Sequence, residues 1–240
     1  MSAMPPEWSA RSLLARFAVY GHFYEREAGG ALWQLRDRLE IFEHALPWER
    51  VRDGNADMVA VMMNPGASRP LAEADASGWC PALPDRTQYQ LMRLTLAAAA
   101  LGAPRIRHIR VINLSDLRTP KSAQLFATLP HAPGWHTIFD ATRRDELQRA
   151  LGTPATPVLL AWGMAPQLRP LAKQALDALQ GRPALGLTDD GTAYRHPLPQ
   201  RADLQSIWVQ RMAEQMAQRT SFTPSLSRAR QRTDAGRGEK

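Results

Sequence analysis

One stretch of the chain reads Met58-Val59-Ala60-Val61-Met62-Met63-Asn64-Pro65-Gly66, an unbroken apolar run that ends in a turn. An apolar run of this length is typical of a strand that is buried on both faces, as in a parallel sheet. Asn-Pro-Gly is a strong turn signal, because Pro fixes its own backbone angle and Gly tolerates conformations that other residues avoid. We therefore predict a buried strand over residues 58–63, followed by a sharp turn.

Shorter apolar runs further along the chain predict three more strands, at residues 106–112, 158–162 and 184–187. Predicted helices alternate with them, at residues 87–101, 140–151, 165–179 and 203–218. Strands that alternate with helices favour a parallel sheet that helices cover on both faces. The predicted fold class is α/β: a single three-layer α/β/α domain over residues 51–218, with a short central, mainly parallel four-stranded sheet.

The remaining segments carry weaker signals. Residues 9–45 are rich in Leu, Phe, Arg and Glu and indicate two helices broken near Gly29-Gly30, so residues 1–50 are predicted as an N-terminal helical segment packed on the core. Residues 67–86 are predicted as a long loop. Residues 219–240 are rich in Ser, Thr, Gly and Arg and indicate a disordered basic tail.

The composition is that of a protein able to bury a core, with 44% hydrophobic and 22% charged residues among 240. It excludes a collagen, a disordered chain and a disulfide scaffold. Cys80 is the only cysteine, so no internal disulfide can form and a reducing cytoplasm is expected. The N-terminal residues show no export signal, and the longest apolar stretch, residues 94–103, is too short to span a bilayer. We expect a cytoplasmic protein without membrane contact.

The net charge of +7 suggests a polyanionic partner such as nucleic acid. A GC-rich genome would also explain why arginines far outnumber the three lysines. The predicted tail holds six basic and two acidic residues, so +4 of the +7 lies there and the body is only mildly basic. The tail is then either an auxiliary grip on nucleic acid, acting through counterion release, or a dispensable solvated terminus.

Distinctive residues follow each predicted strand, at the sheet edge where open α/β folds bind their ligands. They are Asn64-Pro65-Gly66, Asn113-Leu114, Trp162-Gly163 and His196-Pro197. Each alone is more often structural, since Asn commonly satisfies a turn and His-Pro commonly shapes a loop. Four such features after four successive strands indicate a functional site.

These motifs carry a family resemblance. Met63-Asn64-Pro65-Gly66-Ala67-Ser68 resembles the first motif of the uracil-DNA glycosylase superfamily, in the Asn-Pro-Gly form of its mismatch-specific branch. Val111-Ile112-Asn113-Leu114 is similar to the second-strand motif of that superfamily. Leu159-Leu160-Ala161-Trp162-Gly163 is similar to its strand ending in Trp-Gly, and His196-Pro197-Leu198-Pro199 to its terminal His-Pro-Ser-Pro motif.

The same order of motifs also resembles an uncharacterised bacterial domain family, which carries Met-Leu-Asn-Pro-Ser, Asp-Pro-Thr, Asn-Leu, Ala-Trp-Gly and Arg-His-Pro-Leu. The counterparts of its second and last motifs are Asp85-Arg86-Thr87 and Arg195-His196-Pro197-Leu198. The resemblance covers residues 58–200 and implies a uracil-DNA glycosylase-like fold.

The resemblance implies catalytic roles for Asn64 and His196 and a reading role for Asn113. His196 would donate a hydrogen bond to the departing pyrimidine, Asn113 would read the edge of the flipped base, and Asn64 would hold the attacking water. The fastest members of the superfamily have Asp where Asn64 stands, and Asn cannot act as a general base. Asp85 is the carboxylate that could substitute for it, and its alternative role is the N-cap of the following helix.

The resemblance also implies how the substrate is held. Strict uracil enzymes have a Tyr where this chain has Gly66, so the pocket is predicted to accept 5-substituted pyrimidines; alternatively Gly66 only permits a tight turn. Met63, Pro65 and Trp162 would line the pocket, although Trp162 also fits a core position, and Leu198 would wedge into the duplex. The residues proposed to contact DNA phosphates are Ser68, Arg69, Arg86, Arg118, Lys121 and Arg195.

The function expected from the sequence is a monofunctional DNA glycosylase that flips and excises a modified pyrimidine by hydrolysing its N-glycosidic bond, in DNA repair or anti-phage defence. We expect a monomer whose partner is DNA, with no cofactor and no metal. One alternative is a non-catalytic protein of the same fold that binds modified DNA or a nucleotide. Another is an enzyme acting on a small nucleoside-like substrate.

Overall fold

The computed structural model describes residue 5 and residues 8–221. Its strands are β1 (Phe17–Ala28), β2 (Ala31–Glu43), β3 (Met58–Met62), β4 (Arg69–Pro70), β5 (Trp79–Leu83), β6 (His108–Asn113), β7 (Val158–Leu160) and β8 (Ala184–Leu185). Its α-helices are α1 (Ala10–Arg16), α2 (Trp48–Asp53), α3 (Arg86–Ala100), α4 (Ser122–Thr128), α5 (Arg144–Leu151), α6 (Arg169–Ala178) and α7 (Ala202–Ser221). The predicted tail beyond residue 221 lies outside the described residues.

All eight strands form one mixed sheet in the order β4-β5-β1-β2-β6-β3-β7-β8. Strands β6, β3, β7 and β8 run parallel, whereas every pairing from β4 across to β6 is antiparallel. The predicted α/β class is therefore confirmed. The predicted short, mainly parallel four-stranded sheet is wrong, because its four strands are only one half of a larger sheet in which antiparallel pairings prevail.

The N-terminal segment differs most from its prediction. Only residues 10–16 are helical in the span 9–45, and the two predicted helices are replaced by a long hairpin of β1 and β2. Gly29 and Gly30 both take positive φ angles, 61° and 74°, and form the tight turn. Burial alternates along the first half of β1, which is the strand period. The predicted loop at residues 67–86 likewise contains β4 and β5.

Helices cover both faces of the parallel strands. Met58, Ala60 and Met62 point into a core with α1, α3 and α7, while Val59 and Val61 point into a second core with α4, α5 and α6. Because consecutive residues of a strand face opposite sides, a strand covered on both sides has no polar face. This arrangement explains the unbroken apolar run at residues 58–63.

A buried ionic cluster joins the hairpin to the parallel strands. Glu40 of β2 is bonded to His108 Nε2 at 2.6 Å and accepts from Arg110 Nε at 2.7 Å, both on β6. Burial opposes ionisation of Glu40, but the His108 hydrogen bond and the Arg110 charge outweigh it and lower its pKa. The pairing of β2 with β6 places the first half of β2 beside the carboxyl end of β6. In the described part of the chain, no helix is long and apolar enough to cross a membrane.

Candidate active site

A cavity of about 770 Å³ opens at the carboxyl ends of the parallel strands β6, β3 and β7. Its volume falls within the range of about 300–1,000 Å³ that is usual for small-molecule sites. The cavity brings together ten of the residues singled out from the sequence: Met63, Asn64, Pro65, Gly66, Asp85, Arg86, Asn113, Trp162, His196 and Leu198. These residues come from five separate parts of the chain.

Asn113 is the last residue of β6 and is fully buried. Neither its Nδ2 donor nor its Oδ1 acceptor has a hydrogen-bond partner in the described structure. Buried polar groups are almost always paired, and leaving one unpaired costs about 1–3 kcal/mol. Since the side chain lines the cavity, the unpaired amide could pair with a ligand that offers both an acceptor and a donor.

His196 is held in one orientation by its own loop. The backbone N–H of Leu198 donates to His196 Nδ1 at 3.1 Å, so the ring proton lies on Nε2. The indole of Trp208 on α7 donates to the Arg195 carbonyl oxygen at 2.9 Å and fixes the loop. Burial lowers the pKa of His196, with a smaller opposing effect from the Asp85 charge. The imidazole is therefore a neutral Nε2–H donor at pH 7.

Asn64 is oriented by the loop that follows β6. Its Nδ2 donates to the Thr119 carbonyl oxygen and to Thr119 Oγ1, both at 2.9 Å, and to the Leu117 carbonyl oxygen at 3.3 Å. These acceptors fix which way round the amide sits, and Oδ1 has no partner among the described residues. A carbonyl oxygen in this position can accept a hydrogen bond from water but cannot take its proton.

Asp85 is the N-cap of α3, as the structural alternative predicted. Its Oδ1 accepts from the backbone N–H groups of Thr87 and Gln88, and Gln88 completes a capping box. Its Oδ2 lies 3.1 Å from the point that a Cβ on Gly66 would occupy. Gly66 has a φ of +64°, so the turn itself favours glycine and no side chain stands between Asp85 and the cavity.

Paired substitutions of Asp85 separate its two roles. Asp85→Ala is expected to lower the free energy of unfolding by about 1 kcal/mol, because α3 loses its cap. Asp85→Asn keeps an accepting Oδ1 and is expected to stay within about 0.5 kcal/mol of the wild type. Urea denaturation measures both values. Equal losses in the two variants would show that the carboxylate charge, and not the cap, stabilises the protein.

The side chains of the other residues predicted to line the pocket pack against the protein and are not held by polar contacts as those of Asn64 and His196 are. Trp162 is buried, packs edge-on against Tyr194 with ring centroids 5.0 Å apart, and leaves its Nε1 without an acceptor. It therefore belongs to the core while one part of it lines the cavity. Met63 and Leu198 are half-buried and Pro65 is buried. Leu198 lines the cavity wall, and its role as a wedge stays a prediction.

The residues proposed to contact phosphates differ in their exposure and in their local partners. Arg86 is exposed at the cavity, and Arg69 and Lys121 are exposed outside it. Arg195 pairs with Asp189, and Arg118 lies over the Phe23 ring at 5.0 Å with a buried Nε. Ser68 is buried, with only 1% of it exposed, and its contact with a phosphate stays a prediction.

Sequence reasoning missed Arg36, which enters the same cavity from β2. Its side chain is buried, and its Nε and Nη1 have no hydrogen-bond partner. The interpretation of residues 9–45 as helices hid this position. The Gly29-Gly30 turn between two aromatic-rich segments was the signal for a hairpin, although it does not show which side chains point inward.

A larger groove of about 1460 Å³ was also missed. It lies on the opposite face of the sheet, beside α5, and contains several arginines together with Asp37, Asp53 and Glu146. Arg26 lies over the Trp135 ring at 4.4 Å, and Arg38 lies over the Trp79 ring at 4.7 Å. None of the predicted catalytic residues lines this groove, so the smaller cavity is the stronger candidate site.

The described residues contain no cluster of His, Cys, Asp and Glu that could hold a metal ion. Cys80 is buried, and burial raises its pKa, so the thiol stays protonated at neutral pH. The resemblance to the uracil-DNA glycosylase superfamily stays a prediction. No family model matches the chain, and no curated protein or solved structure is significantly similar to it.

Proposed function

We propose that the protein is a DNA glycosylase that hydrolyses the N-glycosidic bond of a flipped, 5-substituted pyrimidine. The observation that carries this proposal is the Asn113 amide, which is fully buried at the strand-end cavity with its donor and acceptor both unpaired. One edge of a pyrimidine presents a donor next to an acceptor. An amide can pair with such an edge through two hydrogen bonds, as it does with bases in nucleic-acid recognition.

Base excision requires that the leaving base be stabilised as an anion develops on it. The Nε2–H of His196 is a preorganised neutral donor in the same cavity, and donors of this kind typically lower a barrier by about 2.7–4 kcal/mol. Because His196 is neutral, it stabilises the anion without first losing a proton. The base leaves with the electron pair of the glycosidic bond.

The sugar that remains has oxocarbenium character and needs water. The Oδ1 of Asn64 is free to hold that water, since its Nδ2 is committed to Leu117 and Thr119. Asn64 positions the water but does not deprotonate it, so the proton is lost after the oxygen bonds to the sugar. The sugar carbon becomes electrophilic enough for neutral water only as the bond to the base breaks, and the proton that the water loses passes to solvent or to the departing base anion. The reaction therefore favours bases that leave readily.

The absent side chain at Gly66 supports a 5-substituted base. Gly66 and Asp85 both line the cavity, and Gly66 has no side chain that would narrow it; apart from Asp85 Oδ2 at 3.1 Å, no atom of the described residues beyond its chain neighbours lies within 4 Å of the point that a Cβ would occupy. A substituent on carbon 5 is accommodated there if the base is bound as in the superfamily that the motifs resemble. Repair or anti-phage defence are the two roles that fit the excision of a modified base.

The direct test is incubation with DNA strands that differ in one base, scoring abasic sites by alkaline cleavage. We expect cleavage at 5-substituted pyrimidines, in single- or double-stranded form. Release of unmodified uracil without release of any 5-substituted base would reject the proposed substrate. Truncation after residue 218, followed by salt-dependent binding titrations, measures what the basic tail adds and tests the alternative of a small nucleoside-like substrate.

A second candidate is a binding protein that recognises the modified base without excising it. It is favoured by the amide at Asn64, where a general base would stand, and by the use of Asp85 Oδ1 as a helix cap. The same DNA panel discriminates the two functions. Base-dependent binding without any abasic site would establish the binder and reject the enzyme.

A further inference from the structure

Arg36 is a buried cation without an ion pair among the described residues. Its side chain is 1% exposed, and its Nε and Nη1 lack hydrogen-bond partners. Burial lowers its pKa to about 10, so the guanidinium is still charged at pH 7. A charge removed from water is costly unless it is paired, so an unpaired buried guanidinium in a cavity wall indicates an acceptor that arrives with a ligand.

The fold pairs its other large buried arginines. Arg110 is bonded to Glu40 and to the carbonyl oxygens of Val51 and Gly54. Arg143 is paired with Asp116 and also donates to Glu146 at 2.7 Å. Arg36 departs from this pattern although it lies in the same sheet. The unpaired guanidinium of Arg36 lines the same cavity as the unpaired amide of Asn113.

Arg36, Gly66 and Asp85 line the same cavity. Asp85 is the charged neighbour that most opposes the effect of burial on the pKa of Arg36, and its Oδ2 is the atom that lies next to Gly66. The backbone N–H of Arg36 donates to the Asp116 carbonyl oxygen at 2.9 Å, which holds this part of β2 against the segment that follows Asn113. A ligand read by Asn113 therefore meets a donor at Arg36 and an acceptor at Asp85.

We propose that Arg36 binds an oxygen-bearing substituent of the pyrimidine, such as a hydroxymethyl, formyl or carboxyl group on carbon 5. This inference rests on the proposed function, because it takes a pyrimidine as the occupant of the cavity. A guanidinium can only donate hydrogen bonds, so it needs an oxygen acceptor. A hydroxymethyl group also returns a proton donor to Asp85 Oδ2. A methyl group can neither accept a hydrogen bond from Arg36 nor donate one to Asp85. It would also displace any water that hydrates the guanidinium.

The consequence is discrimination between substituents of similar size. Sites that hydrogen-bond a substrate group reject analogues that lack it, because the buried partner is left unpaired. We expect the wild type to prefer 5-hydroxymethyl and 5-carboxyl pyrimidines over 5-methyl ones by about 100-fold, the effect of losing a hydrogen bond to a charged group. The preference is expected in both the uracil and the cytosine series.

The test compares Arg36→Met with Arg38→Met on DNAs that carry 5-methyl, 5-hydroxymethyl or 5-carboxyl pyrimidines. Both residues lie on β2, but Arg38 lines the groove on the opposite face of the sheet. Single-turnover release rates are measured for each base, and thermal unfolding checks that both variants fold. Replacing a buried ion by an apolar side chain of similar size is often neutral or stabilising. We expect Arg36→Met to lose the 100-fold preference and Arg38→Met to keep it.

Equal release of methyl and hydroxymethyl bases by the wild type would overturn the inference, as would an Arg36→Met variant that slows every base alike. If no base is released, fluorescence anisotropy with the same DNAs separates the two proposals. Tighter wild-type binding of the oxygen-bearing bases, lost in Arg36→Met, would support the Arg36 site and reject the glycosylase. Equal affinity for all of these DNAs would reject both the Arg36 site and the glycosylase.

Discussion

His196→Ala is expected to slow base release by about 100- to 1,000-fold while the protein stays folded. The reason is the loss of the Nε2–H donor that stabilises the leaving base. His196 is half-buried at the cavity and its own hydrogen bond is local, to Leu198, so its removal leaves no distant group unpaired. Single-turnover rates on the most rapidly cleaved DNA and a urea denaturation curve provide the two measurements.

Two further variants show whether the donor itself matters. His131→Ala is the matched control, because His131 is exposed and lies outside the cavity, and it is expected to behave as the wild type. His196→Gln offers an amide N–H in place of the imidazole N–H and is expected to fall between the wild type and His196→Ala. A His196→Gln variant as slow as His196→Ala, with both folded, would argue for a shape requirement instead of a donor.

The pH profile of release adds an independent check. The pKa of His196 lies below its ordinary value of 6.5, because burial disfavours the imidazolium. The neutral form therefore predominates above pH 6.5, and release is expected to change little between pH 7 and pH 8. As pH falls through the lowered pKa, Nδ1 gains a proton and loses its hydrogen bond from Leu198, so release should decline. A decline that begins above pH 7 would contradict a neutral His196.

The parallel half of the sheet could be predicted from the sequence, because each of its strands is marked by its own short run of apolar residues. Strands β3, β6, β7 and β8 are short, and the longer three are almost wholly buried, so runs of apolar residues mark them directly. The hairpin of β1 and β2 has no such signal, because its charged residues resemble a solvated helix. Glu40 is buried in β2, and its partners His108 and Arg110 lie about 70 positions further along the chain. Pairing over that distance cannot be inferred from composition or periodicity.

The residues of the candidate site also fall into those that could be predicted from the sequence and those that could not. Asn64, Asn113 and His196 follow strands in short motifs, so their convergence could be predicted from the rule that ligands bind at the carboxyl ends of parallel strands. The place of Arg36 in the cavity could not be predicted, because the side of the sheet that its side chain faces depends on a β-bulge in the hairpin. The pairing of β1 with β2 skips Asp37, and this extra residue puts Arg36 in the cavity and Arg38 in the groove on the opposite face. In a regular strand the two arginines would share one face.

Asn113→Leu is expected to abolish base release and, at the same time, to stabilise the fold. Leu has the same number of side-chain heavy atoms and the same branching as Asn, so the replacement fits the end of β6. It removes a donor and an acceptor that are both buried and unpaired. Relief of that cost is expected to raise the free energy of unfolding by about 1–3 kcal/mol. Release should fall at least about 1,000-fold, because the base loses two hydrogen bonds and leaves its own edge unpaired.

A gain in stability with a loss of activity distinguishes a functional residue from a structural one. If Asn113 served the fold, its removal would destabilise the protein, so a lower unfolding midpoint for Asn113→Leu would reject its role as the base-reading amide. Asn55→Leu is the matched control, since Asn55 is exposed and lies outside the strand-end cavity. We expect this variant neither to gain stability nor to lose base release. Urea denaturation and the abasic-site assay, run on both variants, measure the two effects separately. Stability gained at Asn113 alone would mean that the wild-type fold keeps an unfavourable amide because its ligand needs it.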